Sequence, residues 1–128
     1  MNLPCPFCSL PSARSVLESD HAVVIRDGFP VSPGHTLIIP RRHVSSFFAV
    51  TDAERDDLMS LLAVARAELE REYRPAGYNI GINDGAAAGQ TVPHLHIHLI
   101  PRYDGDRDDP RGGVRWVLPD KAAYWDQT

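Results

Sequence analysis

Hydrophobic and polar positions divide the chain into several short alternating stretches and one long stretch with helical spacing. Apolar side chains at Leu58, Leu61, Leu62, Ala65 and Leu69 recur on one helical face. Thr51-Asp52-Ala53-Glu54 precedes them as a capping box, and Pro75 and Gly77 punctuate the end. The pattern predicts one long helix beginning at Thr51. Strand patterns cover residues 21–26, 35–40, 78–83 and 91–101.

Short connections between the strands and a single long helix favour an antiparallel sheet, because a parallel sheet needs a crossover between most strands. The fold class is therefore α+β, with residues 1–128 forming one domain. Residues 1–14 are interpreted as an irregular knuckle. The segment 103–128 is a C-terminal loop and tail, and its charged, glycine-rich part (103–115) is expected to be a mobile or ligand-ordered loop.

Composition narrows the classes of function. The chain of 128 residues carries a net charge of −4, which argues against a non-specific nucleic-acid binder. Its longest apolar run, Thr36–Pro40, is far shorter than the ~20 residues of a membrane span. The N-terminal residues lack the basic start and apolar core of a signal peptide. We expect a cytoplasmic protein that contacts neither membranes nor bulk nucleic acid.

Three histidines alternate along the last predicted strand. His94, His96 and His98 share one face of a strand, and the intervening apolar residues share the other. Three interpretations fit: a polar sheet face that happens to carry histidine, a three-histidine metal site with an open position, or a histidine nucleophile with two partners. The preceding loop favours phosphate chemistry, because Gly85 and Gly89 allow close backbone approach to phosphate oxygens.

Cys5 and Cys8 form a Cys-x-x-Cys pair near the N-terminus. A redox pair of the thioredoxin type follows a strand, and no strand pattern precedes this one. Tetrahedral zinc requires two further nitrogen or sulfur ligands. From the residues alone, a zinc site, a redox pair and two free thiols all stay open.

The chain resembles the histidine triad superfamily. The resemblance rests on the motif from Asn83 to Arg102, the motif from Phe29 to Pro40, and His43, and it covers roughly residues 5–103. It implies an antiparallel sheet with one helix, and a homodimer in which the sheet extends across subunits. The chain continues about 25 residues beyond the motif, which is similar to the dinucleoside-polyphosphate-hydrolase branch.

The resemblance also implies roles for single residues. His96 would be the nucleophile, with His98 and His35 as its catalytic partners. Asp27 would accept hydrogen bonds from ribose hydroxyls, although a purely structural role in the turn before Gly28 is equally open. The groups that would hold the substrate phosphates are Asn83, Gly89, Gln90, Thr91 and Val92.

Structural zinc follows from the same resemblance, since zinc-bearing members carry the metal on four positions that all match here. These positions are Cys5, Cys8, His43 and His94.

The implied activity is hydrolysis at the α-phosphate of a nucleoside or dinucleoside polyphosphate, or of a nucleoside phosphoramidate, through a nucleotidyl-histidine. Three alternatives stay open: phosphate or a sugar phosphate as the acceptor, a nucleotide-binding module with weak activity, and a metallohydrolase. For Arg111 and Arg115, contact with distal phosphates and a solvated loop are equally open. Phe7, Leu17 and Ile25 are candidates to line a base pocket, with core packing as the default.

Overall fold

A five-stranded antiparallel sheet forms the centre of the protein in the computed structural model, which describes residues 5–126. The strands are β1 (Ser15–Glu18), β2 (Ala22–Arg26), β3 (Thr36–Pro40), β4 (Gly77–Gly81) and β5 (Ile97–Arg102). Their order is β1-β2-β3-β5-β4, and every neighbouring pair is antiparallel. The predicted α+β class is confirmed. Residues 1–4 and 127–128 of the predicted knuckle and tail lie outside the described residues.

Helix α1 (Asp52–Tyr73) covers one face of the sheet. It begins at the predicted capping box: the Thr51 side chain accepts a hydrogen bond from the Glu54 amide, and the Glu54 carboxylate accepts one from the Thr51 amide. It ends at Arg74, whose φ of 50° is left-handed. Its buried side chains pack on Leu95 and on the sheet residues Ala22, Val24, Ile38, Ile97 and Leu99.

The opposite face of the sheet is divided between an apolar half and a polar half. On β2 and β3, Val23, Ile25, Leu37 and Ile39 form a second buried cluster that Phe7 and Leu10 cover. Leu37 is paired with His98, so β5 presents its histidine on this same face. The other half of this face, on β5 and β4, carries the polar side chains of His98, Asn79 and Arg102.

Two strand predictions need correction. The last strand begins at Ile97, not Thr91. Pro93 has no amide hydrogen to donate, and the Leu95 amide donates to the Val44 carbonyl outside the sheet (2.7 Å). The sequence pattern also missed β1, a short edge strand with an irregular register between Ser15 and Leu17. The remaining strand bounds differ from the prediction by one or two residues.

The C-terminal segment makes more contacts than its charge and glycine content predicted. Three arginines stack on three aromatic rings, with guanidinium-to-centroid distances of 4.5–4.7 Å. The pairs are Arg107 with Trp116, Arg111 with Trp125, and Arg115 with Tyr124. Short helical turns follow at Gly113–Val117, at α2 (Pro119–Ala122) and at Tyr124–Asp126. Within residues 5–126, no helix is both long enough and apolar enough to cross a bilayer.

Candidate active site and metal centre

The four residues expected to hold zinc converge on one point. The His94 Nδ1 atom lies 3.3 Å from both the Cys5 Sγ atom and the His43 Nδ1 atom. The Cys8 Sγ atom lies 3.2 Å from His43 Nδ1 and 3.5 Å from His94 Nδ1. In a tetrahedral zinc site, two nitrogen ligands are about 3.3 Å apart, and a nitrogen and a sulfur about 3.6 Å apart. The spacing and the chemistry of these donor atoms therefore fit a zinc ion.

The hydrogen bonding of His94 directs a lone pair toward this point. His94 is fully buried, and its Nε2–H donates to the Pro40 carbonyl at 2.8 Å. A neutral imidazole with its proton on Nε2 has an unprotonated Nδ1, which is the form that binds a metal. Burial, with smaller contributions from the charges of His43 and His96, lowers the pKa of His94. Desolvation and the neighbouring Cys5 thiol raise the pKa of Cys8.

His96 is oriented by the backbone. Its Nδ1 atom lies 2.9 Å from the carbonyl oxygen of His94. Since a carbonyl only accepts, Nδ1 must carry the proton, and the lone pair of the neutral ring is on Nε2. The ring is half-buried between His98 and Phe7, whose centroids are each 5.1 Å away. An imidazole held in this tautomer has its nucleophilic nitrogen free.

A chain of donors fixes the protons of His35 and His98. The Val31 amide donates to His35 Nδ1 (3.1 Å), so the proton of neutral His35 is on Nε2. His35 Nε2 lies 2.9 Å from His98 Nδ1 and donates to it. His98 then carries its proton on Nε2 and is a hydrogen-bond donor. Burial is the main cause that lowers the pKa of both His35 and His98, so both rings are neutral near pH 7.

Asp27 has the structural role in the turn that its sequence position allowed, and it also lies beside the histidine row. Its Oδ1 atom accepts a hydrogen bond from the Phe29 amide at 2.8 Å, which closes the turn after β2. Its Oδ2 atom lies 3.4 Å from His35 Nε2, at the end of the histidine row. The carboxylate is thus a turn residue that also borders the site.

Some hydrogen-bond donors of the loop before β5 are bound to acceptors within the same loop. The amides of Gly89 and Gln90, expected to face phosphate, donate to the carbonyls of Ala86 and Gly85. The Gln90 side chain binds the Gly85 amide and the carbonyls of Ser45 and Val92. Among residues 5–126, neither the Thr91 amide nor the Val92 amide donates to a protein acceptor. The amides of Thr91 and Val92 are therefore available to a ligand.

Sequence reasoning missed one anchor of this loop. The Asp84 Oδ2 atom accepts hydrogen bonds from the Ser46 hydroxyl and the Phe47 amide, both at 3.0 Å. Asp84 lies inside the motif, but its partners are almost forty residues away, and no local spacing indicates them. Of the base-pocket candidates, Phe7 alone touches the histidines, whereas Leu17 packs toward the helix and Ile25 is fully buried.

A groove of about 610 Å³ opens beside His35 and His98. Asn83 also lines this groove, so it lies on the same side as the histidine row. Arg111 and Arg115 do not line it. Arg111 is bound to Asp109 (2.9 Å), and Arg115 donates to the carbonyls of Ala122 and Lys121.

Comparisons with known proteins identify the family of this chain. Residues 11–105 match the HIT domain. A 16.1 kDa HIT-like protein of Mycoplasma pneumoniae is 41% identical over 108 residues, covering 80% of this chain and 74% of that protein. A bis(5′-nucleosyl)-tetraphosphatase (asymmetrical) of Schizosaccharomyces pombe is 43% identical over 77 residues, which cover 60% of this chain and 42% of that enzyme. An AP-4-A phosphorylase of Mycobacterium tuberculosis is 33% identical over 111 residues, which cover 79% of this chain and 55% of that enzyme.

Solved structures show the same fold. A HIT family protein from Bacillus subtilis superposes with a TM-score of 0.73 at 34% identity, over 80% of this chain and 75% of that chain. A Zn-bound histidine triad family protein from Mycobacterium smegmatis gives a TM-score of 0.69 at 35% identity, over 80% of this chain and 78% of that chain. The matched residues, the sheet and helix, and the histidine row together establish that the chain belongs to the HIT domain family.

Proposed function

We propose that this protein is a nucleotide hydrolase that cleaves at the α-phosphate of a nucleoside or dinucleoside polyphosphate, or of a nucleoside phosphoramidate. The observation that carries the proposal is the 2.9 Å contact between His96 Nδ1 and the His94 carbonyl oxygen. This contact leaves the Nε2 lone pair of His96 free in the neutral ring, and a covalent nucleotidyl-His96 is the intermediate that such a nitrogen forms.

The reaction proceeds in two balanced steps. In the first, the Nε2 lone pair of His96 forms a bond to the α-phosphorus while the bond to the leaving group breaks. The bonding pair stays with the leaving group, which takes a proton from solvent, while the Nε2–H of neutral His98 donates a hydrogen bond to the phosphate oxygens. In the second, water attacks the phosphorus, and the nitrogen–phosphorus bond returns its electron pair to His96. The proton lost by the attacking water passes to solvent, and a nucleoside monophosphate is released.

The remaining site residues position the substrate. His35 donates to His98 and so keeps the His98 proton on the nitrogen that faces the substrate. Asn83, the Thr91 hydroxyl and the amides of Thr91 and Val92 are proposed to bind the non-bridging oxygens, where negative charge develops. Gly89 and Gln90 contribute by holding this loop in shape. Asp27 is proposed to accept from the ribose hydroxyls through the free lone pairs of its carboxylate.

Zinc held by Cys5, Cys8, His43 and His94 is proposed to be structural. The donor set, the tetrahedral spacing of the donor atoms and the Zn-bound relative from M. smegmatis support it. These four residues would hold the ion, which would supply a cross-link between the N-terminal knuckle and the sheet. Residues 5–8 and the segment at 94–96 would thereby be kept together.

A phosphorylase is the second candidate, because one relative is named as a phosphorylase and another as a tetraphosphatase. In that case inorganic phosphate, and not water, accepts the nucleotidyl group. Cleavage of a dinucleoside tetraphosphate with and without added phosphate distinguishes them, since the phosphorylase yields a nucleoside diphosphate where the hydrolase yields a monophosphate.

A catalytic metal on the second histidine cluster is less favoured. Asp27, His35 and His98 lie close enough to share an ion. The 2.9 Å separation of the two imidazole nitrogens is that of a hydrogen bond, shorter than the ~3.3 Å between two nitrogen ligands of one zinc ion. A hydrolase of that kind would lose all activity on chelation, whereas a structural zinc site predicts loss through unfolding.

A His96→Ala variant tests the proposal. We expect it to bind nucleotide and to lose turnover by at least about 10³-fold, because the atom that attacks phosphorus is gone. His21→Ala removes an exposed histidine outside the site and should retain wild-type rates. A weakly active nucleotide-binding module predicts equal, very slow turnover in wild type and His96→Ala. Undiminished release of nucleoside monophosphate by His96→Ala would refute the mechanism.

We further propose that the protein is a cytoplasmic homodimer. Strand β4 pairs with β5 along one side and lies at the edge of the sheet, where a second copy can extend it. Light scattering of the purified protein gives the assembly mass, and a mass of one chain would contradict the dimer.

A further inference from the structure

The groove beside the histidine row is lined by His98, the neighbour of the candidate nucleophile, and extends away from it; His96 itself does not line the groove. It begins at His35, His98 and Asn83 and extends along β4 and β5 to Arg102 and Arg107. Its volume, about 610 Å³, is in the range of small-molecule sites. The α-phosphate would lie at His96 and His98, so the length beyond it is room for the part of the substrate on the far side of the scissile bond.

The outer wall of this groove is built by residues beyond the matched HIT domain, which ends at residue 105. Gly113 brings this wall close to β4: its φ is +48°, and a Cβ atom there would lie 3.0 Å from the Asn79 side-chain nitrogen. Val114 and Arg107 complete the wall. The far end of the groove is therefore formed by residues that follow the matched HIT domain.

Arg107 is the arginine of this segment that is available to a ligand. Arg102 is neutralised, since it binds Asp106 at 2.8 Å and Asn79 at 2.7 Å. Arg111 is neutralised by Asp109. Within residues 5–126, no carboxylate lies within 4.0 Å of the Arg107 guanidinium, which is exposed and held over the Trp116 ring at 4.7 Å. A stacked guanidinium keeps its donors free and loses little entropy on binding phosphate.

The charge of the groove suits an anion. Its charged lining consists of Arg102, Arg107 and Asp106, and burial lowers the pKa values of His35 and His98, which keeps both neutral near pH 7. The charges of Arg102 and Asp106 cancel, so the lining has one net positive charge, and Arg107 carries it. A polyphosphate leaving group brings negative charge to this end of the groove, whereas an amine leaving group does not.

On the basis of the proposed function, we infer that Arg107 binds the phosphates beyond the scissile bond and selects polyphosphate substrates over phosphoramidates. It is a specificity residue for the leaving group, supplied by the segment that follows the HIT domain. Charge-assisted contacts between guanidinium and phosphate are strong enough to change affinity about tenfold even at an exposed site.

The test compares Arg107→Gln with Arg111→Gln. Both arginines are exposed, both stack on a tryptophan ring and they lie four residues apart, but Arg111 is paired with Asp109 and does not line the groove. Calorimetry measures the Kd of adenosine 5′-triphosphate and of adenosine 5′-monophosphate. We expect Arg107→Gln to weaken triphosphate binding about tenfold and monophosphate binding less than twofold. Arg111→Gln should leave both Kd values within about twofold.

Kinetics provide the second readout, with diadenosine tetraphosphate and adenosine 5′-phosphoramidate as substrates. Arg107→Gln should lower kcat/KM about tenfold for the tetraphosphate, mainly through KM, and leave the phosphoramidate unchanged. Arg107→Lys retains the charge and should recover most of the loss. Tryptophan fluorescence verifies that the segment is still folded.

The outcomes separate the two proposals. Equal effects of Arg107→Gln on both nucleotides, or equal effects of Arg107→Gln and Arg111→Gln, would overturn the assignment of Arg107. If the wild type cleaves neither substrate, the proposed function fails, and the two Kd ratios still decide whether Arg107 binds distal phosphate.

Discussion

The Nδ1 atom of His96 lies 2.9 Å from the carbonyl oxygen of His94, and the side chain of that same His94 points into the cysteine cluster. One residue therefore joins the two sites: its imidazole faces the candidate metal centre, and its backbone orients the candidate nucleophile. A disturbance at Cys5 and Cys8 is expected to reach His96 through this single residue.

Removal of one thiolate tests the metal centre. Cys8→Ser replaces a soft ligand, so we expect the zinc content to fall from one ion per chain to near zero. The Tm should drop by about 5 °C or more, because the proposed ion would join the knuckle to the sheet. Elemental analysis and calorimetry measure the two effects. Ser9→Ala, at the exposed neighbouring position, is the control and should change neither. Equally low zinc in wild type and Cys8→Ser would disprove the site.

The helix that supports the sheet could be predicted to within one residue at its start, because the signal is local. Thr51 and Glu54 are three residues apart and bond to each other. The start of the last strand could not be predicted in this way. It depends on a hydrogen bond from the Leu95 amide to the Val44 carbonyl, and these two residues are about fifty positions apart in the sequence. Strand β1 was missed because a short edge strand with an irregular register has no alternating pattern to detect.

His35 offers a test of proton placement. His35→Gln retains a side-chain N–H that can donate toward His98 Nδ1. His35→Leu retains a side chain that fills space but has no N–H to donate. We expect His35→Leu to lower kcat about tenfold or more below His35→Gln, because His98 then carries its proton on either nitrogen. Steady-state kinetics measure kcat, and KM should change little in both variants. Equal losses in the two variants would mean that His35 acts through packing alone.

Glu54 makes stability depend on pH. The Arg42 guanidinium and the Thr51 amide, both hydrogen-bonded to it, hold its pKa at about 2. The unfolded chain, with an ordinary pKa near 4.5, takes up the proton first as the pH falls. The stabilisation of the folded protein by ionised Glu54 is therefore complete above about pH 5 and is lost progressively toward pH 2.

Denaturant unfolding of Glu54→Gln measures this contribution. Glu54 is 4% exposed, so the variant should lose about 2 kcal/mol of unfolding free energy at pH 7, and the difference from wild type should shrink as the pH falls toward 2. Glu72→Gln, an exposed carboxylate on the same helix, should cost less than about 0.5 kcal/mol. A difference that is constant between pH 7 and pH 2.5 would contradict the role assigned to Glu54.

Part of the candidate site could be predicted from the sequence. Period-two spacing indicated that His94, His96 and His98 share a side, but not that each has a different hydrogen-bond partner. Those partners are backbone carbonyls and a distant imidazole, which fix the tautomers and carry no sequence signal. The stacking of Arg107 on Trp116 was not predictable either, because the two residues share no helix or strand.

The central claim is that His96 forms a transient bond to phosphorus, and mass spectrometry of trapped protein tests it most directly. Acid-quenched wild type, mixed for milliseconds with a slow nucleoside phosphoramidate, is digested under conditions that preserve phosphoramidate bonds. We predict that the peptide containing residues 94–98 gains the mass of one nucleoside monophosphate on His96, and that His96→Ala gains none. A modified peptide elsewhere in the chain, or the same increment in His96→Ala, would contradict the account.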